Sequence, residues 1–446
     1  MSLVLVLLAI LFFALIMLSI ALHEIGHLLP AKLFGVKVKQ YFVGFGRTLW
    51  STTRGETEYG VKAIPLGGYV RLLGMYPPGK GVAWPKQKPS FQDDDGDPGG
   101  EQSSKGWLTR VADGARSYEY QEITEEDDGR LLWQKPVWQR VIVMFGGVGM
   151  NLLLAFLIFL GINAIHGTYQ PTLTVGHVSD CIIPQDRQPA ECKEGDRPTP
   201  ASEAGLQEGD QLVSFNGVEL NNWDQMGDLI RDNRDHEAKI VVERDGEKVT
   251  LPTVNTVLNN VPHRLDPTKT IEVGFLGLSP TDELVRGGVG TTASQMWDMT
   301  RMSAIALADF PARVYHVAAD MVTGSPRDQN SPISILGASR VAGEIGVAGE
   351  LQPGERIASW LSLLGSVNLF VALLNLVPLP PLDGGHIAGA LYEGARRWLA
   401  KVRNRPDPGP ADTAKLLPVA YLVGGLLLLG GVVLIIADII NPIQLF

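Results

Sequence analysis

Four stretches of this chain carry no charge at all: Leu3 to Leu22, Val141 to Ile165, Ile357 to Leu382 and Leu416 to Ala437. A hydrocarbon core about 30 Å thick takes roughly 20 helical residues at 1.5 Å each, so each stretch is long enough to cross a bilayer. One such block would suit a buried helix in a soluble protein. Four in one chain predict a polytopic α-helical membrane protein. The mean hydropathy of +0.09 is then an average over separated regions, because 48 acidic residues share the chain with these blocks. Two cysteines exclude a disulfide-dense scaffold and a zinc module built on four thiolates. A net charge of −10 excludes nucleic acid as the main partner.

The first block reads as a retained helix and not a signal peptide. No Lys or Arg precedes it, and it runs into His23-Glu24-Ile25-Gly26-His27 where a small-residue cleavage site would stand. Basic residues near the helix ends set the orientation. Lys32, Lys37, Lys39, Arg47, Lys135 and Arg140 flank the first two blocks, and Arg396, Arg397, Lys401, Arg403 and Arg405 lie between the last two. Residues 167–355 hold 15 Lys and Arg against 28 Asp and Glu. These counts put 28–137 and 384–415 in the cytoplasm, with 167–355 and both termini outside. Cys181 and Cys192 fall in the outer segment, where a disulfide between them would persist; two free thiols are the alternative.

Within that outer segment, 173–254 reads as a small β-rich domain with one or two helices. Ala204-Gly205-Leu206, Gly209-Asp210 and Asn216-Gly217 punctuate an alternating strand, Trp223 to Ile230 is amphipathic, and Asp245-Gly246 marks a hairpin. The pattern resembles a circularly permuted bacterial PDZ domain, a fold that can take up a peptide or a C-terminus by strand addition. Residues 292–322 have helical apolar spacing (Met296, Met299, Met302, Ile305, Leu307, Phe310) and read as an amphipathic region at the membrane surface. On the cytoplasmic side, 77–128 is rich in Pro, Gly and acid, and reads as a flexible insertion without chemistry of its own.

The chemistry lies at the end of the first block. His23 and His27, four apart on a helix, stack on one face where they can share a zinc ion, and Glu24 stands beside the water such a metal binds. Ionisable groups in a membrane helix cost about 2.5–3.5 kcal/mol each on insertion scales, so a compensating partner is expected. A catalytic zinc commonly takes three protein ligands and leaves one position open. Asp383, in Asn375-Leu-Val-Pro-Leu-Pro-Pro-Leu-Asp-Gly-Gly385, is the candidate third ligand; His386 is its rival. The three prolines predict an extended backbone before Asp383.

The HEIGH motif, the NLVPLPPLDGG stretch and a PDZ-like segment between them resemble the site-2 protease family of intramembrane zinc metalloproteases, in its RseP-like, actinobacterial branch. The resemblance covers nearly the whole chain. It implies one zinc per chain held by His23, His27 and Asp383, with Glu24 as the catalytic glutamate. It also implies substrate contacts from Asn375, Pro378 and Pro380. Gly44-Phe45-Gly46 and Tyr59 to Leu73, with Gly67, Gly68 and Tyr69, resemble the family's membrane-re-entrant β segment, which holds substrate as an added strand. Gly146, Gly147 and Asn151 resemble its Gly-x-x-x-Asn pattern, although small-residue helix packing explains them equally well.

The expected organisation is transmembrane helix 1 (1–30), re-entrant β segment (31–76), cytoplasmic insertion (77–137), helix 2 (138–166), extracytoplasmic PDZ domain (167–260), amphipathic region (261–355), helix 3 (356–383), cytoplasmic segment (384–415) and helix 4 (416–440). The function implied is cleavage of a single-span membrane protein in a bacterial plasma membrane, for example an anti-sigma factor already trimmed outside by another protease, or a signal-peptide remnant. The active site would open toward the cytoplasmic side. Two rivals remain: a membrane-anchored PDZ scaffold with a non-catalytic metal site, and a solute transporter. Four spans without repeat symmetry argue against the transporter.

Overall fold

The computed structural model describes residues 3–78, 120, 122–183, 192–263, 266–325, 327–328 and 331–443. Most of the insertion expected at 77–137, including its Asp-rich run, lies outside these residues. In chain order the helices are α1 (Leu3–Leu33), α2 (Val137–Ile165), α3 (Pro200–Glu203), α4 (Trp223–Asn233), α5 (Val289–Ala308), α6 (Phe310–Thr323), α7 (Ile335–Val347), α8 (Pro353–Leu376), α9 (Asp383–Val402) and α10 (Leu417–Ile440). Strands β1 (Val38–Arg54) and β2 (Thr57–Leu72) follow α1; β3 (Thr168–Val178) follows α2. The four uncharged blocks form α1, α2, α8 and α10, each long and apolar enough to cross a membrane. The chain divides into two compact units, residues 1–159 with 299–446, and residues 160–298.

In the first unit, α1 and α2 meet backbone to backbone. A Cβ on Gly26 would run into the Gly146 carbonyl and lie 3.0 Å from Gly147 Cα, so only glycines allow this approach. α7 lies along the first half of α1, where Gly343 faces Leu5 and Ala9 and Gly346 faces Leu8. Phe12, Ile16, Ala338, Ala342 and Leu364 form the apolar core between α1, α7 and α8. Asn368 of α8 donates to Ser19 of α1 at 3.2 Å, a polar tie between two apolar helices. Before α7, Arg327 and Asp438 of α10 form a buried ion pair at 2.6 Å, and Asp438 also accepts from the Ser334 amide.

β1 and β2 curl so that one short segment has two partners. Residues 40–43 pair with 58–61 on one side and with 68–71 on the other, while 51–54 pairs with 57–60. The long hairpin is in effect a four-segment sheet, and among the described residues 68–71 forms one of its edges. Residues 120 and 122–136 pack onto this sheet, which corrects the reading of 77–128 as flexible throughout. Tyr120, Ile123 and Leu131 form an apolar cluster with Leu73. Lys39 and Arg71 hold Glu122, and Lys37 holds Asp127. Those hydrogen-bonded cations keep both carboxyls below their usual range, although burial alone would raise them.

The stretch between α8 and α9 is a tight turn, not the extended segment that its prolines suggest. Leu379 N–H bonds the Val377 carbonyl and Leu382 N–H the Leu379 carbonyl. The turn folds back so closely that a Cβ on Gly384 or Gly385 would strike the backbone of 376–380. Those two glycines let the helix restart at once, with Asp383 as its first residue.

In the second unit, β4 (Gln211–Phe215), β5 (Val218–Glu219), β6 (Glu237–Ala238), β7 (Ile240–Arg244), β8 (Glu247–Thr250), β9 (Val254–Asn255), β10 (Val257–His263), β11 (Asp266–Phe275) and β12 (Leu278–Val285) complete the strands. The main sheet runs β12-β3-β4-β7-β8, with β5 paired to β4. Leu206, Leu212, Phe215, Met226, Ile240 and Val242 fill its core, and Met226 brings α4 onto it. Asp245 and Gly246 both take positive φ, as the hairpin between β7 and β8 requires. β12 is recruited from beyond residue 260, so this sheet reaches further along the chain than the expected 167–260 domain. Cys181 and Cys192 are joined as a disulfide, their Cα atoms 5.9 Å apart.

Candidate active site

His23, Glu24 and His27 lie near the C-terminal end of α1, and both imidazoles are buried. The i, i+4 spacing puts the rings on one face. That face is turned to α2 at Gly147, where any Cβ would collide with His27 Nε2 and sit 2.7 Å from His23 Nε2. The Val143 carbonyl lies 2.8 Å from His27 Nδ1, which fixes that nitrogen as a donor and leaves Nε2 free to bind. The proline turn delivers Asp383 to the same place from α9.

His23 Nε2, His27 Nε2 and Asp383 Oδ2 form a nearly equilateral triangle, with separations of 3.3, 3.4 and 3.3 Å. Tetrahedral bonds of about 2.0–2.1 Å would set donor atoms about 3.3–3.4 Å apart, so the triangle fits a zinc ion above its centre. The buried Asp383 Oδ2 has no hydrogen-bond donor among the described residues, as a metal-binding oxygen would not. This is the one His, Cys, Asp and Glu cluster with metal-ligand spacing among the described residues. The donor set of two imidazoles and one carboxylate suits zinc.

A cavity of about 410 Å³ opens beside the triangle. Of the residues singled out from sequence, Glu24, Gly67, Gly68, Tyr69 and Asn375 line it with the three candidate ligands. Pro378 and Pro380 do not; Pro380 faces a neighbouring cavity of about 340 Å³, and Pro381 and His386 border both. His386 is therefore beside the triangle and not part of it. The sheet edge meets Glu24 directly: the Val70 backbone approaches its carboxylate, and a Cβ on Gly68 would sit 3.0 Å from Glu24 Cγ.

Sequence reasoning missed the Val143 carbonyl, the Val70 backbone and Val371, which also borders the cavity. Backbone groups leave no residue-type signal. For Gly147 a signal existed, because it sits in a Gly-Gly pair within an apolar helix, but nothing in that pair says what it faces.

Against known proteins, a sequence model of peptidase family M50 matches residues 11–405. The chain is 33% identical to the zinc metalloprotease Rip1 of Mycobacterium tuberculosis strain H37Rv, over 98% of each chain. It is 26% identical to the regulator of sigma-W protease RasP of Bacillus subtilis, covering 84% of this chain and 87% of that one. It is also 26% identical to the metalloprotease MmpA of Caulobacter vibrioides, over 85% and 84% of the two chains.

Proposed function

The chain belongs to peptidase family M50, and on that premise we propose that it is an intramembrane zinc metalloprotease that performs site-2 cleavage of single-span membrane proteins. The observation that carries this reading is the triangle of His23, His27 and Asp383 with Glu24 at its side, built among apolar helices. One zinc per chain, held by those three residues, would lower the pKa of a water toward about 7 and polarise the scissile carbonyl. Glu24 accepts a proton from the attacking water and returns it to the leaving amine nitrogen. Its contact with the Val70 backbone keeps the carboxylate beside the sheet edge, where substrate must lie.

The edge at Gly67 to Val70 supplies what a transmembrane substrate needs. A helical peptide bond is shielded by its own turn, so it must unwind before attack. Unwound, its backbone groups need partners, and a strand edge provides them. Phe45, Leu49, Trp50, Val61, Ile64 and Leu66 are exposed around this curled hairpin, which supports its immersion in lipid as a re-entrant segment. Asn375 lines the cavity wall, which supports a role for its amide in hydrogen-bonding a substrate carbonyl.

The charge distribution supports a plasma-membrane orientation with the triangle nearer the cytoplasm and residues 167–355 outside. The disulfide suits that side. The sheet with α4 and the β7–β8 hairpin supports the PDZ reading, in which this unit receives a peptide terminus or screens out bulky ectodomains. The name of the Bacillus relative, a regulator of a sigma factor, favours anti-sigma factors as substrates after a first external cut.

The test uses purified full-length protein in detergent with a trimmed single-span substrate. Glu24→Gln should keep one zinc per chain and lose about 10²–10⁴-fold in cleavage rate, the usual contribution of a general base. Cleavage within about tenfold of wild type would remove Glu24 from the chemistry.

A further inference from the structure

Helix α9 lies between α8 and α10, two helices long and apolar enough to cross a membrane. The segment that joins two consecutive spans stays on one side of the bilayer, at its surface. α9 itself, with Glu393, Arg396, Arg397 and Lys401 along it, is too charged to cross. One side of it is packed. Ile387 meets the cluster of Leu28, Ala31 and Val143, a Cβ on Gly394 would sit 3.3 Å from Val137, and buried Glu393 holds Arg140 at 2.6 Å.

Another side is left bare. Leu391, Trp398 and Val402 recur at helical spacing with Tyr392 and Leu399 beside them, and all five are exposed. Trp and Tyr among aliphatic side chains are the mixture favoured where hydrocarbon meets lipid headgroups. At the C-terminal end of this face stand Lys401, Arg403 and Arg405, exposed and without an ion pair or side-chain hydrogen bond among the described residues. Asn404 takes positive φ and the Arg405 amide folds back to the Ala400 carbonyl at 2.8 Å, so all three cations leave from one closing turn. The nearby acids are engaged elsewhere: Asp407 lies 3.6 Å from Arg397, and Asp412 lies 3.7 Å from Lys415. An occupant of this face must therefore offer apolar chains and negative charge together, at the surface of a bilayer.

We propose that the bare face of α9 binds an anionic phospholipid, with acyl chains against Leu391, Trp398 and Val402 and the phosphate beside Lys401, Arg403 and Arg405. Cations at a helix C-terminus also favour its unpaired carbonyls, but that role asks for no apolar face beside them. The site requires only that α8 and α10 cross the bilayer, and it stands whether or not the chain cleaves peptides.

The test places full-length protein in phosphatidylcholine bilayer discs doped with photoreactive phosphatidylglycerol or, separately, photoreactive phosphatidylcholine, and maps the crosslinks by mass spectrometry. The phosphatidylglycerol analogue should label residues 391–405 at least about tenfold more than its neutral counterpart, since each basic residue near the surface strengthens anionic binding roughly fivefold. On wild-type protein in about 1 M salt, where screening sets in within about 3 Å, the excess should shrink toward parity. Lys401→Gln, Arg403→Gln and Arg405→Gln together should abolish it, whereas Arg403→Lys with Arg405→Lys should keep it. Equal labelling by the two lipids, or an excess that both salt and the triple glutamine variant leave unchanged, would overturn the assignment. So would an absence of labelling by either lipid, which would mean that a second protein chain covers the face. The salt series on wild-type protein decides the matter if the triple variant does not fold.

Discussion

Gly147 shows how strictly the site depends on single atoms. Its missing side chain is the space in which both imidazoles turn their Nε2 atoms toward Asp383. Gly147→Ala adds one methyl that the backbone-to-backbone crossing of α1 and α2 cannot move away from. The variant should fold with its helices intact and lose bound zinc, which metal analysis of purified protein will show; full zinc occupancy would mean that the rings can yield. The candidate ligands stand out in the sequence because their spacing is their chemistry: two His four apart with Glu between them, and one Asp after a proline-rich stretch. What they lean on does not. The Val143 carbonyl belongs to a residue 116 positions from His27 in the chain, and it would be there whatever its side chain.

At the scale of elements, the uncharged blocks foretold four helices, since a run of apolar residues that long has few other uses. α7 was absorbed into a general amphipathic region. Its packing face is Gly337, Ala338, Ala342 and Gly343, which are too small to give a strong apolar period, and its value is close approach to α1 and α10. The clasp preceding it was equally hidden, because Arg327 and Asp438 are 111 positions apart. Both side chains are almost fully buried, so Asp438→Ala would leave an uncompensated guanidinium and should cost about 3–5 kcal/mol. Reversible unfolding in mixed micelles measures this, and a loss under about 1 kcal/mol would mean water reaches the arginine. A similar clamp ties α9, the helix that carries Asp383, to α2: Arg140 bonds Glu393 at 2.6 Å, and Glu393 also accepts from the Ala411 amide. Glu393→Ala should therefore lower zinc occupancy as well as stability, because the far end of the ligand-bearing helix loses its anchor. Normal zinc binding in a destabilised variant would separate the two effects.

Across the whole molecule, charge marks the parts that meet water. In the unit of residues 160–298, burial tends to raise the Asp210 carboxyl. The Arg244 guanidinium, bonding it at 2.7 and 2.8 Å, and the Gln207 amide outweigh that and hold it below its ordinary value. A carboxyl with a depressed pKa in the folded state adds stability above the unfolded value of about 4, and that stability fades as pH falls through the folded value. The protection of the β4 and β7 amides against hydrogen exchange in the full chain, taken relative to their intrinsic rate at each pH, should therefore fall below about pH 4. In Asp210→Asn the amides should exchange faster at neutral pH and show a flatter acid dependence. An acid response unchanged by that substitution would assign it to other carboxylates. The alternation and turn residues of this unit were readable in sequence, including the Asp245-Gly246 hairpin. The return of β12 to pair with β3 was not, since nothing local in either strand names its partner.

In the proposed function, the triangle and Glu24 bring a metal and a general base to a peptide bond inside the membrane. The most direct measurement is mass-spectrometric mapping of the products when purified protein acts on a single-span substrate trimmed on its outer side, with zinc removed and then restored. One cut within the apolar segment, lost on chelation and regained with zinc, is the predicted result. No cut by zinc-loaded protein, or a cut confined to the soluble flank, would contradict it.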